Sequence, residues 1–168
     1  MNTSEVYADA YGRIEGLVHR ALDGLDEDTL TARLDEGGNS IAWLVWHLTR
    51  IQDDHLADVA GGEQVLTAGG FVERFGFPFD PHATGYGHRP GDVAQVSAPA
   101  ALLREYFDAV HARTLSYLSG LSESDLDRIV DTRWDPPVTL GVRLVSVISD
   151  NLQHAGQALF VRGTIERA

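Results

Sequence analysis

The sequence predicts an all-α fold, a four-helix bundle built as one domain over residues 1–168. Three observations predict it. Four long segments carry apolar residues at the i, i+3, i+4, i+7 spacing of an amphipathic helix. No stretch alternates apolar and polar residues convincingly at the period of a half-buried strand. No internal repeat divides the chain, and 168 residues are enough for one sizeable core.

The first helix is expected over residues 4–25, where Tyr7, Tyr11, Ile14, Leu17, Val18, Leu22 and Leu25 recur at helical spacing. The segment "DEGGNS" breaks the pattern, and its Asn39 or Ser40 can cap the next helix. That second helix runs from about Ile41 to Val59, with Ile41, Leu44, Val45, Leu48 and Ile51 as its stripe, and "AGG" ends it. Residues 61–98 are the least regular part and include "FGFPFDPHATGYGHRPGD". A connection this long in a compact domain is often functional. Its aromatics Phe71, Phe75, Phe77, Phe79 and Tyr86 are too many for a solvated linker. They are expected to pack over the open end of the bundle and shape a pocket, or else to fill a satellite core.

The third helix is expected from Pro99 to Gly120, with a stripe of Leu102, Leu103, Tyr106, Val110 and Leu118. Proline suits a first helical turn. "SESDLDR" reads as a short capped turn, and "VDTRWDPPVTLG" as extended, its Pro pair blocking a helix. The fourth helix follows from Leu140 to Arg162. The connections on both sides of the third helix are longer than simple hairpin turns.

Composition removes several function classes. The net charge is −12 and the sequence pI about 4.8. With no cluster of Arg, such a chain repels nucleic-acid phosphate. There is no lysine, which excludes Schiff-base chemistry and a P-loop lysine. There is no cysteine, which excludes disulfides, thiolate metal sites and a cysteine nucleophile, so any sulfur chemistry must use the substrate's sulfur. No run of 18 apolar residues is present, so no membrane span is expected. The start, "MNTSEVYADAYGR", has neither a basic n-region nor an apolar h-region, and a cytoplasmic location is the expectation.

The seven histidines carry the remaining signal. Asp150 and His154 are four residues apart on the fourth helix, about 40° apart around its axis, so both can reach one metal ion. Arg143 and Gln157 fall near the same face, beside an apolar stripe of Leu144, Val147, Ile148, Leu152, Ala155 and Leu159. Gly156 would allow close helix approach. The plainer reading of the pair is a surface carboxylate–histidine contact. In the second helix His47 lies between Trp46 and Leu48, which suits either a ligand or a core-edge histidine bonded to a backbone carbonyl. Asp54, seven residues on and roughly 20° off the His47 direction, is placed to orient its ring. His55 points about 80° away and reads as a solvated neighbour. His19 and His111 read as flank residues of amphipathic helices, and His82 and His88 as turn residues. A catalytic metal site without cysteine takes three His or carboxylate ligands and keeps an open position. His47, Asp150 and His154 make such a set from facing helices. A di-iron carboxylate centre needs Glu-x-x-His motifs, which this sequence lacks.

At "WLVWHLTRIQDDH" and "SDNLQHAGQALFVRG" the chain resembles the DinB-like superfamily of metal-binding four-helix bundles. It looks most like the actinobacterial branch related to mycothiol-dependent enzymes, of the mycothiol S-transferase and maleylpyruvate isomerase N-terminal types. With the helix pattern, the resemblance covers essentially the whole chain. The family pattern of one histidine in the first half and His-x-x-x-His on the last helix maps onto His47, position 150 and His154. Asp150 replaces a histidine here, as in the maleylpyruvate isomerase type, exchanging a neutral nitrogen donor for an anionic oxygen. The resemblance implies a divalent metal, with zinc expected and nickel, iron or manganese as alternatives, and a homodimer. It also implies a low-molecular-weight thiol as cosubstrate in transfer or isomerisation of a small electrophile. Asp54, Arg143 and Gln157 would support the ligands or the substrate. The competing reading is a non-catalytic metal-binding stress-response or scaffold dimer.

Overall fold

The computed structural model describes residues 2–167. Four long helices make the frame: α1 (Thr3–Leu22), α3 (Ile41–Ala60), α7 (Ala100–Ser119) and α8 (Leu140–Ile165). The starts of three of them carry side-chain caps. The Asn2 side chain accepts from the Glu5 amide of α1 at 2.9 Å, while the Glu5 carboxylate accepts from the Asn2 amide at 2.8 Å. Ser40 accepts from the Trp43 amide at 3.1 Å to open α3, which stops at Gly61 in the left-handed conformation (φ 67°). Thr139 does the same for α8 through the Val142 amide at 3.3 Å.

Packing puts α3 against α8, α8 against α1, α1 against α7 and α7 against α3, with α1 and α3 barely touching. The pairs α3/α8 and α1/α7 therefore form opposite sides of the bundle. Tyr11, Ile14, Val18, Leu44, Leu48, Phe107, Leu144 and Val147, all buried, meet in the shared core. Each buried Leu, Ile or Val contributes roughly 1.5–3 kcal/mol by removing apolar surface from water. A buried polar chain crosses that core: Asn151 Nδ2 donates to Gln52 Oε1 at 2.7 Å, and Gln52 Nε2 donates to Thr114 Oγ1 at 2.7 Å. Such a chain is costly to leave half-made, so it fixes the rotation of α8 against α3.

The structure also adds elements the sequence pattern does not announce. Periodicity suggests that the first helix continues to residue 25, but it stops at Leu22, and a separate short helix α2 (Glu27–Thr31) follows, capped by Asp26. The connection over residues 61–98 contains α4 (Val65–Ala68), α5 (Phe71–Phe75) and α6 (Pro90–Val93). After a 3-10 turn at Glu123–Asp127, a small antiparallel ribbon pairs β1 (Ile129–Asp131) with β2 (Val138–Thr139). The strands are too short for an alternation signal to register. Among the described residues no helix is long and apolar enough to cross a membrane.

Candidate metal centre

His47 leaves α3, and Asp150 and His154 leave α8, on the most extensively packed helix pair of the bundle. One donor atom from each lies within 4.8 Å of the other two. The other ring nitrogen of each histidine is already committed. His47 Nδ1–H donates to the Thr84 carbonyl at 2.6 Å, which leaves Nε2 as its lone-pair donor. His154 Nδ1–H donates to Gln157 Oε1 at 2.9 Å and turns Nε2 toward Asp150 Oδ1, 3.6 Å away. Asp150 Oδ2 is buried and has no hydrogen-bond partner. Two imidazole nitrogens and a carboxylate oxygen within 4.8 Å of one another, on a carboxylate whose other demands are unmet, fit the donor set of a divalent cation.

The electrostatics are asymmetric. Burial pushes the His47 imidazole below the ordinary histidine value, against the opposing pull of its Thr84 hydrogen bond. The neighbouring Asp150 carboxylate pulls His154 the other way, above that value, against burial. Burial thus favours the neutral His47, which can donate a lone pair, while a cation at the centre would compete with the proton that Asp150 favours on His154. The Trp43 ring stacks on His47 at 4.6 Å and 13°, and meets His154 edge-on at 6.3 Å and 90°. It forms an apolar wall on one side. His154 and Asp150 retain side-chain exposures of 20% and 32%, so the solvent side stays accessible.

The long connection reaches the centre through its backbone. Gly85 (φ 92°) lies so close that a Cβ there would sit 2.8 Å from His47 Nδ1, 3.1 Å from the Trp46 ring and 3.2 Å from the Trp43 ring. Arg50, fully buried on α3, holds the preceding residues: its Nε donates to the Ala83 carbonyl at 3.0 Å and its Nη2 to the Pro81 carbonyl at 3.1 Å. Phe77 and Phe79 pack on Trp46, next to His47 in sequence, whereas Phe71 and Phe75 pack on Tyr106, and Tyr86 stays in solvent. The connection therefore buttresses a ligand and fills a satellite core at once. His88, read from sequence as a turn residue, is stacked on Trp46 at 5.7 Å and accepts from Trp43 Nε1 at 3.1 Å.

Three supporting roles differ from the sequence expectations. Asp54 does not orient His47; it accepts from Gln64 Nε2 at 2.7 Å, and the Thr84 carbonyl takes the orienting role. Arg143 donates to Asp131 at 2.9 Å and to His55 Nδ1 at 2.8 Å, so its guanidinium is committed inside the protein. Nothing lies within 4 Å of a Cβ built at Gly156, so no helix approaches closely there. Gln157 does reach His154. Thr84 is the participant that sequence reasoning missed, since a backbone carbonyl leaves no residue-type signature.

The sequence pattern of the DinB superfamily matches residues 10–158. The chain belongs to the DinB superfamily. Among solved structures, this DinB-superfamily bundle is similar to a conserved protein from Enterococcus faecalis, known from its crystal structure. The TM-score is 0.90 at 28% identity, covering 96% of this chain and 96% of that chain. No curated protein matches the chain.

Proposed function

We propose that this DinB-superfamily bundle is a divalent-metal-dependent transferase that activates a low-molecular-weight thiol, of mycothiol type, for transfer or isomerisation of a small electrophile. The observation that carries the reading is the convergence of His47, Asp150 and His154 with their other hydrogen-bonding atoms committed or orphaned. A two-histidine, one-carboxylate set suits zinc, and the same donors accept nickel, iron or manganese. When bound, such a cation supplies the positive charge that favours the thiolate form of a thiol near neutral pH. The chain's own residues do the rest. Thr84 and Gln157 aim the two rings, Trp43 keeps water from one side, and the partly exposed edge of Asp150 and His154 admits the cosubstrate. With no cysteine of its own, the chain offers no competing thiolate. A small-molecule thiol and a net charge of −12 suit a cytoplasmic enzyme acting on small molecules rather than on nucleic acid.

A second reading, a non-catalytic metal-binding stress-response or scaffold dimer, draws on one specific feature. Val142, Val145, Leu152 and Phe160 form an exposed apolar strip along α8. That strip is also the face through which we place a homodimer. Metal analysis of the purified protein, followed by thiol conjugation with and without chelator, separates the readings. Conjugation lost on chelation and restored by zinc supports the transferase. Bound metal with no conjugation to any thiol supports the dimer.

A further inference from the structure

The opposite side of the bundle carries a second set of ligand-type side chains. Glu15 and His19 lie four residues apart on α1, and Asp108 and His111 three residues apart on α7. Both spacings put a pair on one helical face. One donor atom each from Glu15, His19 and Asp108 lies within 4.8 Å of the other two. His19 Nε2 is 2.6 Å from Asp108 Oδ1. His111 is only 4% exposed, yet its ring is poorly satisfied. Its Nδ1 is buried without a hydrogen-bond partner. Its Nε2 aims at Glu15 Oε2 from 3.8 Å, beyond hydrogen-bond reach. Phe107 fixes both rings, stacking on His111 at 5.7 Å and 17° and meeting His19 edge-on at 6.3 Å and 78°.

We propose that Glu15, His19, Asp108 and His111 form a second divalent-cation site that clamps α1 to α7, independent of the centre between α3 and α8. A surface ion pair of His19 and Asp108 alone accounts for the 2.6 Å contact. It leaves unexplained why the buried His111 imidazole presents Nε2 to a carboxylate of the same cluster without reaching hydrogen-bond distance. A cation between the helices accounts for both. Two imidazoles select a borderline metal such as zinc, nickel or cobalt over magnesium or calcium, and two carboxylates neutralise its charge. Because the ligands come from two helices, the site exists only in the folded chain, and occupancy stabilises the fold.

The test is a zinc titration of metal-free protein against a chromophoric chelator. The intact chain should take up two zinc ions. His19→Gln and Asp108→Asn change partly exposed side chains, and each should lower the number to one while leaving the α3/α8 centre loaded. The His47→Ala/His154→Ala double variant should still bind one zinc, and adding His19→Gln should weaken that remaining site at least tenfold. In the double variant, zinc should also shift the ring nitrogen NMR signals of His19 and His111. The proposal is overturned if the intact chain binds one ion and the double variant none, a result that leaves the proposed transferase centre standing. It is equally overturned if the ion held by the double variant survives His19→Gln without loss of affinity.

Discussion

His47 on α3 is oriented by the backbone of Thr84, 37 residues later in the chain, through a 2.6 Å hydrogen bond from Nδ1–H to the carbonyl oxygen. The next residue, Gly85, packs where any Cβ would strike the His47 ring and both neighbouring tryptophans. Gly85→Ala should therefore displace Thr84 and release the His47 ring. Loss of an orienting partner costs roughly 10–100-fold in metal affinity. Gly87→Ala is the matched control. Its φ is 78°, so it carries similar backbone strain of roughly 1–3 kcal/mol, but nothing lies within 4 Å of its Cβ. Both variants should lose stability in urea denaturation, and only Gly85→Ala should lose zinc affinity as well.

Arg50 supports the same segment from below and lies 3.5 Å from buried Asp53. Asp53 also accepts from the Val65 and Leu66 amides and the Tyr106 hydroxyl, each at 2.8 Å. Arg50→Met should leave that buried carboxylate without its cation and free the Pro81 and Ala83 carbonyls. Breaking a buried ion pair this way costs about 3–5 kcal/mol. Chemical denaturation of the metal-free protein should show a loss of that size.

Gln157 accepts from His154 Nδ1–H at 2.9 Å and lies on the solvent side of α8. Gln157→Ala should weaken zinc binding by roughly 10–100-fold, since it removes an orienting partner and not a ligand. The melting temperature of the metal-free protein should barely move. Calorimetric zinc titration beside a thermal melt reads both quantities.

His55 lies against Arg143 beside the centre. Burial, and then the Arg143 guanidinium, hold its imidazole below the ordinary histidine value, while Asp54, Asp58 and Asp150 pull it upward. The unfolded chain takes up this proton near pH 6.5, and the folded chain resists it. The stability that neutral His55 contributes is thus present at pH 7 and is lost as pH falls through the lowered folded value. Urea midpoints of the metal-free protein should decline from pH 7 to pH 5, and His55→Gln should make that decline shallower. Asp131 behaves differently, because its hydrogen bonds to Arg133 and Arg143 hold it well below the usual carboxylate range. Its contribution should persist through this window and be lost only in stronger acid.

The four long helices are legible in the sequence because their stripes are long and periodic, as in the run from Tyr11 through Ile14 to Val18. The short helices between residues 61 and 98 are not, since four or five residues give no period to read. The i,i+4 pair of Asp150 and His154 is visible for the same reason the helices are. The roles of Asp54 and Arg143 misread because angular position on a helix says which way a side chain leaves, not which neighbour it meets. Asp54 meets Gln64, and Arg143 meets Asp131 of a ribbon two and three residues long. The Thr84 contact depends on a loop path set by Arg50, which no local pattern encodes.

The most direct test is zinc affinity at pH 7, measured by chelator competition in a His19→Gln background so that a single centre is read. His47→Ala, Asp150→Ala and His154→Ala should each lower affinity by more than about 100-fold, exceeding the loss from an orienting partner. Their helical circular dichroism should be unchanged, and His55→Ala should bind zinc as the parent does. Zinc binding that survives the three ligand substitutions, or that is lost with His55→Ala and kept with Asp150→Ala, would contradict the assignment of the centre.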